Sequence, residues 1–260
     1  MSASYCFEGR VVLVTGASSG IGAETAIHFA AASCDGLALI GRDKDRLEEV
    51  SIKCQTQGLA IEKILIISED LASDGAPGRI MDAVIQKFGK LNILINNAGQ
   101  GGMTSLADPE LSQKFDHLYS LNVRATLLLS QLAVPHLIET KGNIVTVSSI
   151  CAKAAVPNML VYNLTKAALD YFTESAARCL ATKQVRVNSV NPGSIATPLH
   201  TRAGREEKVV RELARRIHPL GRIGESEEVS RAILFLASDH ASFTTGETLS
   251  VDGGRFLLCP

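Results

Sequence analysis

The sequence predicts a doubly wound α/β fold, with about seven parallel strands and helices on both faces of the sheet. Short β-branched runs alternate with longer helical patterns along the whole chain, the signature of a parallel sheet covered on both sides. The first run flows directly into a glycine-rich loop, and no linker, repeat or low-complexity tract interrupts the alternation. Residues 1–260 therefore read as a single domain.

Arg10 to Thr15 reads as the first buried strand, followed by glycines and a helix through about Ala32. The turn Asp35-Gly36 leads into a second strand, Leu37 to Gly41, and Asp43 is placed to cap a charged helix running to about Gln57. A third strand is expected over Ile61 to Ile67, a helix over Ala76 to Phe88 ending at Gly89, and a fourth strand over Asn92 to Ile95. Leu111 to about Ile138 reads as one helix that Pro135 should bend or end. Asn143 to Val147 is the fifth strand, Leu160 to about Ala181 a long helix, and Val185 to Val190 and Thr248 to Val251 are two further strands.

Composition removes several functional classes. A formal net charge of −1 leaves no basic footprint for nucleic acid or for a membrane surface. No apolar run approaches the roughly 20 residues that span a bilayer. Met1 to Arg10 lacks the pattern of a secretory signal, and Leu258-Cys259-Pro260 carries no readable address. The cysteines, Cys6, Cys34, Cys54, Cys151, Cys179 and Cys259, are scattered without a paired motif, so reduced thiols in a cytoplasmic protein are expected. The histidines do not cluster with other ligand types, and no metal is expected.

The loop after the first strand reads Thr15-Gly16-Ala17-Ser18-Ser19-Gly20-Ile21-Gly22. Gly16 permits the tight turn, Gly20 lets the backbone approach a pyrophosphate, and Gly22 allows close packing of the helix, whose N-terminus favours phosphate. This makes the fold Rossmann-type. At the end of the second strand, where a NAD site usually places a carboxylate, stand Gly41 and then Arg42. A guanidinium there suits a 2′-phosphate, which favours NADP(H) over NAD(H). Asp43 either accepts from a ribose hydroxyl or caps the next helix, and Asp70-Leu71 either holds the adenine edge or makes a turn.

Tyr162 and Lys166 lie four residues apart in a helical segment and share one face. An ammonium beside a phenol favours the phenolate and should draw its pKa down towards neutrality, making Tyr162 a general acid/base. Ser149, just past the fifth strand, would polarise a substrate carbonyl.

These motifs, in this order, resemble the short-chain dehydrogenase/reductase family over essentially the whole chain. The family's Asn-Asn-Ala-Gly motif matches Asn96-Asn97-Ala98-Gly99, and its catalytic asparagine matches Asn122, which the resemblance implies holds a water linking the lysine to solvent. Ser149, Tyr162 and Lys166 match the family's remaining catalytic positions, and the lysine is implied to bind the nicotinamide ribose. Asn191-Pro192-Gly193-Ser194-Ile195-Ala196-Thr197-Pro198 resembles the segment that contacts nicotinamide through Ile195 and Thr197. The chain from Pro219-Leu220-Gly221-Arg222 to Val251-Asp252-Gly253-Gly254 resembles an ending that commonly builds tetramer contacts, and Ala167 and Ala168 suit helix pairing between subunits. The implied activity is interconversion of a ketone and a secondary alcohol. A dinucleotide-binding scaffold or redox sensor is the alternative on the same fold.

Within the family, the chain is similar to 3-oxoacyl-(acyl-carrier-protein) reductases and related carbonyl reductases. The positions that dock the carrier protein match Pro135 and Lys183, of which one is not basic. Met103 to Leu106 and Val156 to Met159 are expected to line an apolar substrate pocket. Residues 194–218 read as a substrate flap carrying Arg202, Arg205, Arg211, Arg215 and Arg216; these either form a solvated face balanced by Glu206, Glu207 and Glu212 or belong to a lid that meets an anionic group.

Overall fold

A computed structural model describes residues 5–199 and 206–258. Seven parallel strands make one sheet: β1 Val11–Thr15, β2 Gly36–Gly41, β3 Ile64–Ser68, β4 Ile93–Asn96, β5 Asn143–Val147, β6 Arg186–Pro192 and β7 Thr248–Val251. Their order is β3-β2-β1-β4-β5-β6-β7. The chain winds outward from β1 to β3, then returns to place β4 on the other side of β1. That reversal opens a crevice at the C-terminal ends of β1 and β4, where open α/β sheets bind ligands.

Alternate residues of each strand feed opposite cores, because successive side chains leave a strand on opposite faces. Val12, Val14, Leu37 and Leu39 pack on one side with Phe29 of helix α1, Gly20–Ala31, Leu47 of α2, Lys44–Thr56, and Ile233 of α8, Ser226–Ala237. Val11, Leu13, Ala38 and Ile40 pack on the other with Ile80 of α3, Ala76–Phe88, Leu129 of α5, Ala125–Thr140, and Ala177 of α6, Leu160–Leu180. Two further helices, α4, Leu111–Tyr119, and α7, Glu207–Ile217, complete the set among the described residues. Phe29 is fully buried and meets Phe7 edge-on, with ring centroids 4.7 Å apart. Phe29→Ala should destabilise the fold by about 3–5 kcal/mol; a denaturant titration that gave well under 1 kcal/mol would contradict this placement of the core.

Two expected elements differ in detail, and one helix was not expected. Ile61–Lys63 forms a 3₁₀ turn and β3 starts only at Ile64. Lys63, the last residue of that turn, pairs with Asp35 at 2.8 Å. The helix expected from Leu111 is split, because Ser120–Arg124 makes a π turn between α4 and α5. Pro135 does not end α5, which continues to Thr140. Buried Leu129, Ala133 and Leu137 hold its inner face on both sides of the proline, and packing outweighs local propensity. The sequence reading gave no helix at Ser226–Ala237, which begins with a reciprocal capping box between Glu225 and Glu228.

No helix among the described residues is long and apolar enough to cross a membrane. Cys6, Cys34, Cys54, Cys151 and Cys179 are free thiols. Burial pushes Cys34 and Cys54 up to about 12. Cys259, Arg202 and Arg205 lie outside the described residues.

Candidate active site

The glycine loop and the end of β4 are stitched together by one hydroxyl. Thr15 Oγ1 donates to Ile95 O (3.2 Å) and accepts from the amides of Asn97 (2.9 Å) and Ala98 (3.0 Å). Asn97 Nδ2 in turn donates to Thr15 O (2.8 Å) and Gly16 O (3.2 Å). The approach is so close that a Cβ on Gly16 would lie 2.8 Å from Asn97 Nδ2, and Gly16 also has φ +64°. A Cβ on Gly22 would run into Asn97 and Gly16 O. Ser19 caps α1 in extended conformation, so the helix amides of its first turn open towards the crevice.

A cavity of about 370 Å³ runs along the C-terminal edge of the sheet. Its walls include Gly16, Ser18, Ser19, Gly20 and Ile21 after β1, Arg42 after β2, and Asp70 and Leu71 after β3. Asn97, Ala98 and Gly99 follow β4, and Pro192, Gly193, Ile195 and Thr197 follow β6. Asp43 stands outside this lining. Its carboxylate accepts from Arg46 N (3.2 Å) and pairs with Arg46 Nε (3.2 Å), so of its two expected roles it fills the helix cap. Asp70 Oδ1 accepts from Ala72 N (3.0 Å), which makes it both a turn residue and a wall of the cavity. A glycine cradle without room for a side chain, helix amides and a terminal guanidinium together fit a nicotinamide dinucleotide.

Ser149, Tyr162 and Lys166 share one wall. Ser149 lies two residues past β5, caps the 3₁₀ turn Ile150–Ala152 in extended conformation, and its Oγ accepts from Cys151 N (3.1 Å). Its carbonyl accepts from Asn191 Nδ2 (3.0 Å), which also donates to Asp170 Oδ2 (2.7 Å). Ser148 Oγ donates to Lys166 O (3.1 Å), tying α6 to β5. Thr104, a residue the sequence did not single out, sets the start of α6: its Oγ1 accepts from Val161 N (3.0 Å), immediately before Tyr162.

Electrostatics at this wall reverse one expectation. Burial pushes the Tyr162 phenol above its ordinary value, Cys151 adds to the rise, and a hydrogen bond with Ser149 opposes it. Lys166 Nζ donates to Val147 O (2.8 Å) and lies 5.5 Å from the Tyr162 ring centroid. Burial brings Lys166 down to about 8, with Cys151 and Asp170 pulling it back up. The lysine is thus itself desolvated, and burial rather than the ammonium sets the direction of the phenol's shift.

Asn122 lies behind the cavity wall, in the π turn. Its Oδ1 accepts from Gln100 N (2.9 Å), and its Nδ2 donates to Gln100 O (2.9 Å) and Thr165 Oγ1 (3.1 Å). The side chain therefore braces the loop after β4 against α6. Met103, Val156 and Met159 line the cavity as expected, but Leu106 does not; it is 85% exposed because its loop turns outward after the Thr104 bridge to Met159. Gln100, Cys151 and Arg255, which belong to no motif, also line the cavity, as does Ser194 of the segment after β6. On the flap helix, Arg215 and Arg216 pair with Glu212 at 3.6 and 3.1 Å and Arg211 reaches Glu225 at 3.7 Å, while Val210 and Ala214 face inward.

A family model described as enoyl-(acyl carrier protein) reductase matches residues 16–255. A short-chain dehydrogenase/reductase from Caenorhabditis elegans, solved with cofactor, superposes with a TM-score of 0.90 at 32% identity over 96% of both chains. The chain belongs to the short-chain dehydrogenase/reductase family. It is 34% identical to a 3-oxoacyl-(acyl-carrier-protein) reductase of Thermotoga maritima over 96% of this chain and 99% of that one. It is 35% identical to an L-xylulose reductase of Caenorhabditis elegans over 98% of each. A 7α-hydroxysteroid dehydrogenase solved with NADH and an oxo bile acid matches with a TM-score of 0.89, at 31% identity over 98% of this chain and 97% of that one. Each of these relatives is named as a reductase or dehydrogenase.

Proposed function

We propose that this member of the family interconverts a ketone and a secondary alcohol, with NADP(H) as hydride carrier and Tyr162 as general acid/base. The observation that carries the reading is the convergence of Ser149, Tyr162 and Lys166 on one wall of the cavity whose other end is the glycine cradle. The bound nicotinamide supplies or accepts the hydride at the carbonyl carbon.

The residues of this chain handle the oxygen and the proton. Ser149 Oγ and Tyr162 Oη donate to the carbonyl oxygen, polarising it and fixing its orientation. Burial keeps Tyr162 protonated, which is the form reduction requires, and the developing alkoxide is basic enough to take that proton. The Lys166 ammonium stabilises the phenolate that remains. Asn122 holds the loop after β4 and the lysine's helix in register.

Arg42 lines the cavity after β2 and supports NADP(H) over NAD(H), while the carboxylate of neighbouring Asp43 is engaged by Arg46. Two solved relatives hold NADH, so the proposed preference rests on Arg42 at this strand end rather than on the fold. In Arg42→Ala the NADPH-over-NADH preference should fall by about 10- to 100-fold, as expected for losing charged hydrogen bonds to a phosphate. An unchanged ratio of the two dissociation constants would remove Arg42 from the cofactor site.

A homotetramer is part of the same reading. Leu164, Ala167 and Tyr171 form an exposed stripe along α6, with Ala168 half-buried beside it. Exposed Phe256, Leu257 and Leu258 supply a second apolar surface.

A further inference from the structure

Behind the wall that carries Ser149 and Lys166 stands a carboxylate that the chemistry above does not use. Asp170 lies one turn beyond Lys166 on α6, so the two side chains leave the helix on the same side. It is outside the cavity lining. Whatever it contributes must pass through its neighbours.

Asn191 of β6 joins Asp170 to the serine. It is fully buried, and its Nδ2 gives one hydrogen to Ser149 O (3.0 Å) and the other to Asp170 Oδ2 (2.7 Å). Its Oδ1 accepts from Ser189 Oγ (3.3 Å). With both amide hydrogens committed, the side chain has one orientation, and Ser149 is held through its carbonyl while its Oγ stays at the cavity. Asp170 Oδ1, by contrast, is buried without a hydrogen-bond partner. Anchoring Asn191 takes one acceptor oxygen, which a hydroxyl would supply without burying a second. The charge of the carboxylate is what this arrangement adds.

That charge faces a desolvated lysine. Among the described residues, the titratable groups acting on Lys166 are Tyr162 and Asp170 on its own helix and Cys151 in the 3₁₀ turn after β5. The other elements against it offer neutral groups: Val147 O of β5, which accepts from Nζ (2.8 Å), Gly99 after β4, and Asn122 of the π turn behind it. Asp170 is the carboxylate of this set. Its own carboxyl is pushed above the ordinary value by burial, against the opposing influence of Ser148, Asn191, Lys153 and Lys166. Lys153 is itself anchored on β7, donating to Thr248 O (2.6 Å) and Ser250 Oγ (3.3 Å).

We propose that Asp170 is a positioning residue of the active site: it anchors Asn191 behind Ser149 and supplies the fixed negative charge that holds Lys166 as an ammonium beside the phenol. This rests on the oxidoreductase reading and extends it to a residue outside the motifs. One side chain then governs both the serine that orients the carbonyl and the lysine that steadies the phenolate.

Two neutral variants separate the roles. Asp170→Asn keeps an acceptor for Asn191 and removes the charge, while Asp170→Ala removes both. Lys166 is followed by NMR in protein carrying isotope-labelled lysine, its signal assigned by its absence in Lys166→Met, and kcat for ketone reduction is measured across the neutral and alkaline range. Losing a nearby negative charge disfavours the ammonium, so in both variants the Lys166 midpoint should fall from near 8 by about one pH unit. In Asp170→Asn the falling limb of kcat should move to lower pH by the same interval, with kcat on its acid side close to that of the wild type. In Asp170→Ala kcat should also drop by about 10-fold at every pH, as expected for losing the anchor. A midpoint unmoved in both variants overturns the proposal. A displaced midpoint in a protein that turns over no ketone would support the hold of Asp170 on Lys166 and overturn the oxidoreductase reading instead.

Discussion

Tyr162→Phe is expected to lower kcat for ketone reduction by about 10²- to 10⁴-fold, the range typical of a lost general acid. The hydroxyl contributes little to the fold, because the ring keeps its place at the start of α6 and its burial. Dissociation constants for NADPH should stay within the range of the wild type, since the cradle around Gly16, Asn97 and Thr15 is untouched. Loss of cofactor binding in parallel with turnover would mean that the variant damages the cleft. Near-normal turnover would remove Tyr162 from the chemistry.

Lys166→Met is expected to lower kcat by about 10²- to 10³-fold, the usual effect of deleting one electrostatic donor from an active site. It should also weaken cofactor binding if the ammonium meets the nicotinamide ribose. The pH profile separates this role from a packing effect. Burial holds Lys166 near 8, so the ammonium is present below that pH and is lost as pH rises through it. The phenol is displaced upward and stays protonated across the same window. Reduction by the wild type should therefore decline above a pH of about 8, and that limb should vanish in Lys166→Met. A falling limb that persists in the variant would assign it to another group.

The parallel sheet was legible because buried strands are written as continuous apolar runs, and the glycine loop because only glycine fits against Asn97 and Gly16 O. Tyr162 and Lys166 are legible from their four-residue spacing and Ser149 from its place after the fifth strand and the family resemblance, and the fold brings all three to one cavity. What remained hidden depends on partners distant in sequence. Asp43 was ambiguous because capping and ribose binding require the same residue type at the same place, and only the bond to Arg46 decides its position. The direction of the Tyr162 shift depends on burial, which no four-residue spacing encodes. Thr104 sets α6 from 57 positions away, and Arg255 reaches Ser194 across 61. Leu106 has the character of a pocket residue, yet its backbone turns it to solvent.

The central claim is hydride transfer between a nicotinamide and a carbonyl carbon beside Tyr162. It is tested most directly with NADPH deuterated at its transferable position, incubated with the wild type and a broad panel of ketones, with the products examined by mass spectrometry. The expected result is an alcohol that carries one deuterium on the carbinol carbon, formed by the wild type and reduced to trace amounts in Tyr162→Phe. Tight binding of the labelled cofactor with no label in any alcohol across the panel would contradict the account and leave a dinucleotide-binding scaffold in its place.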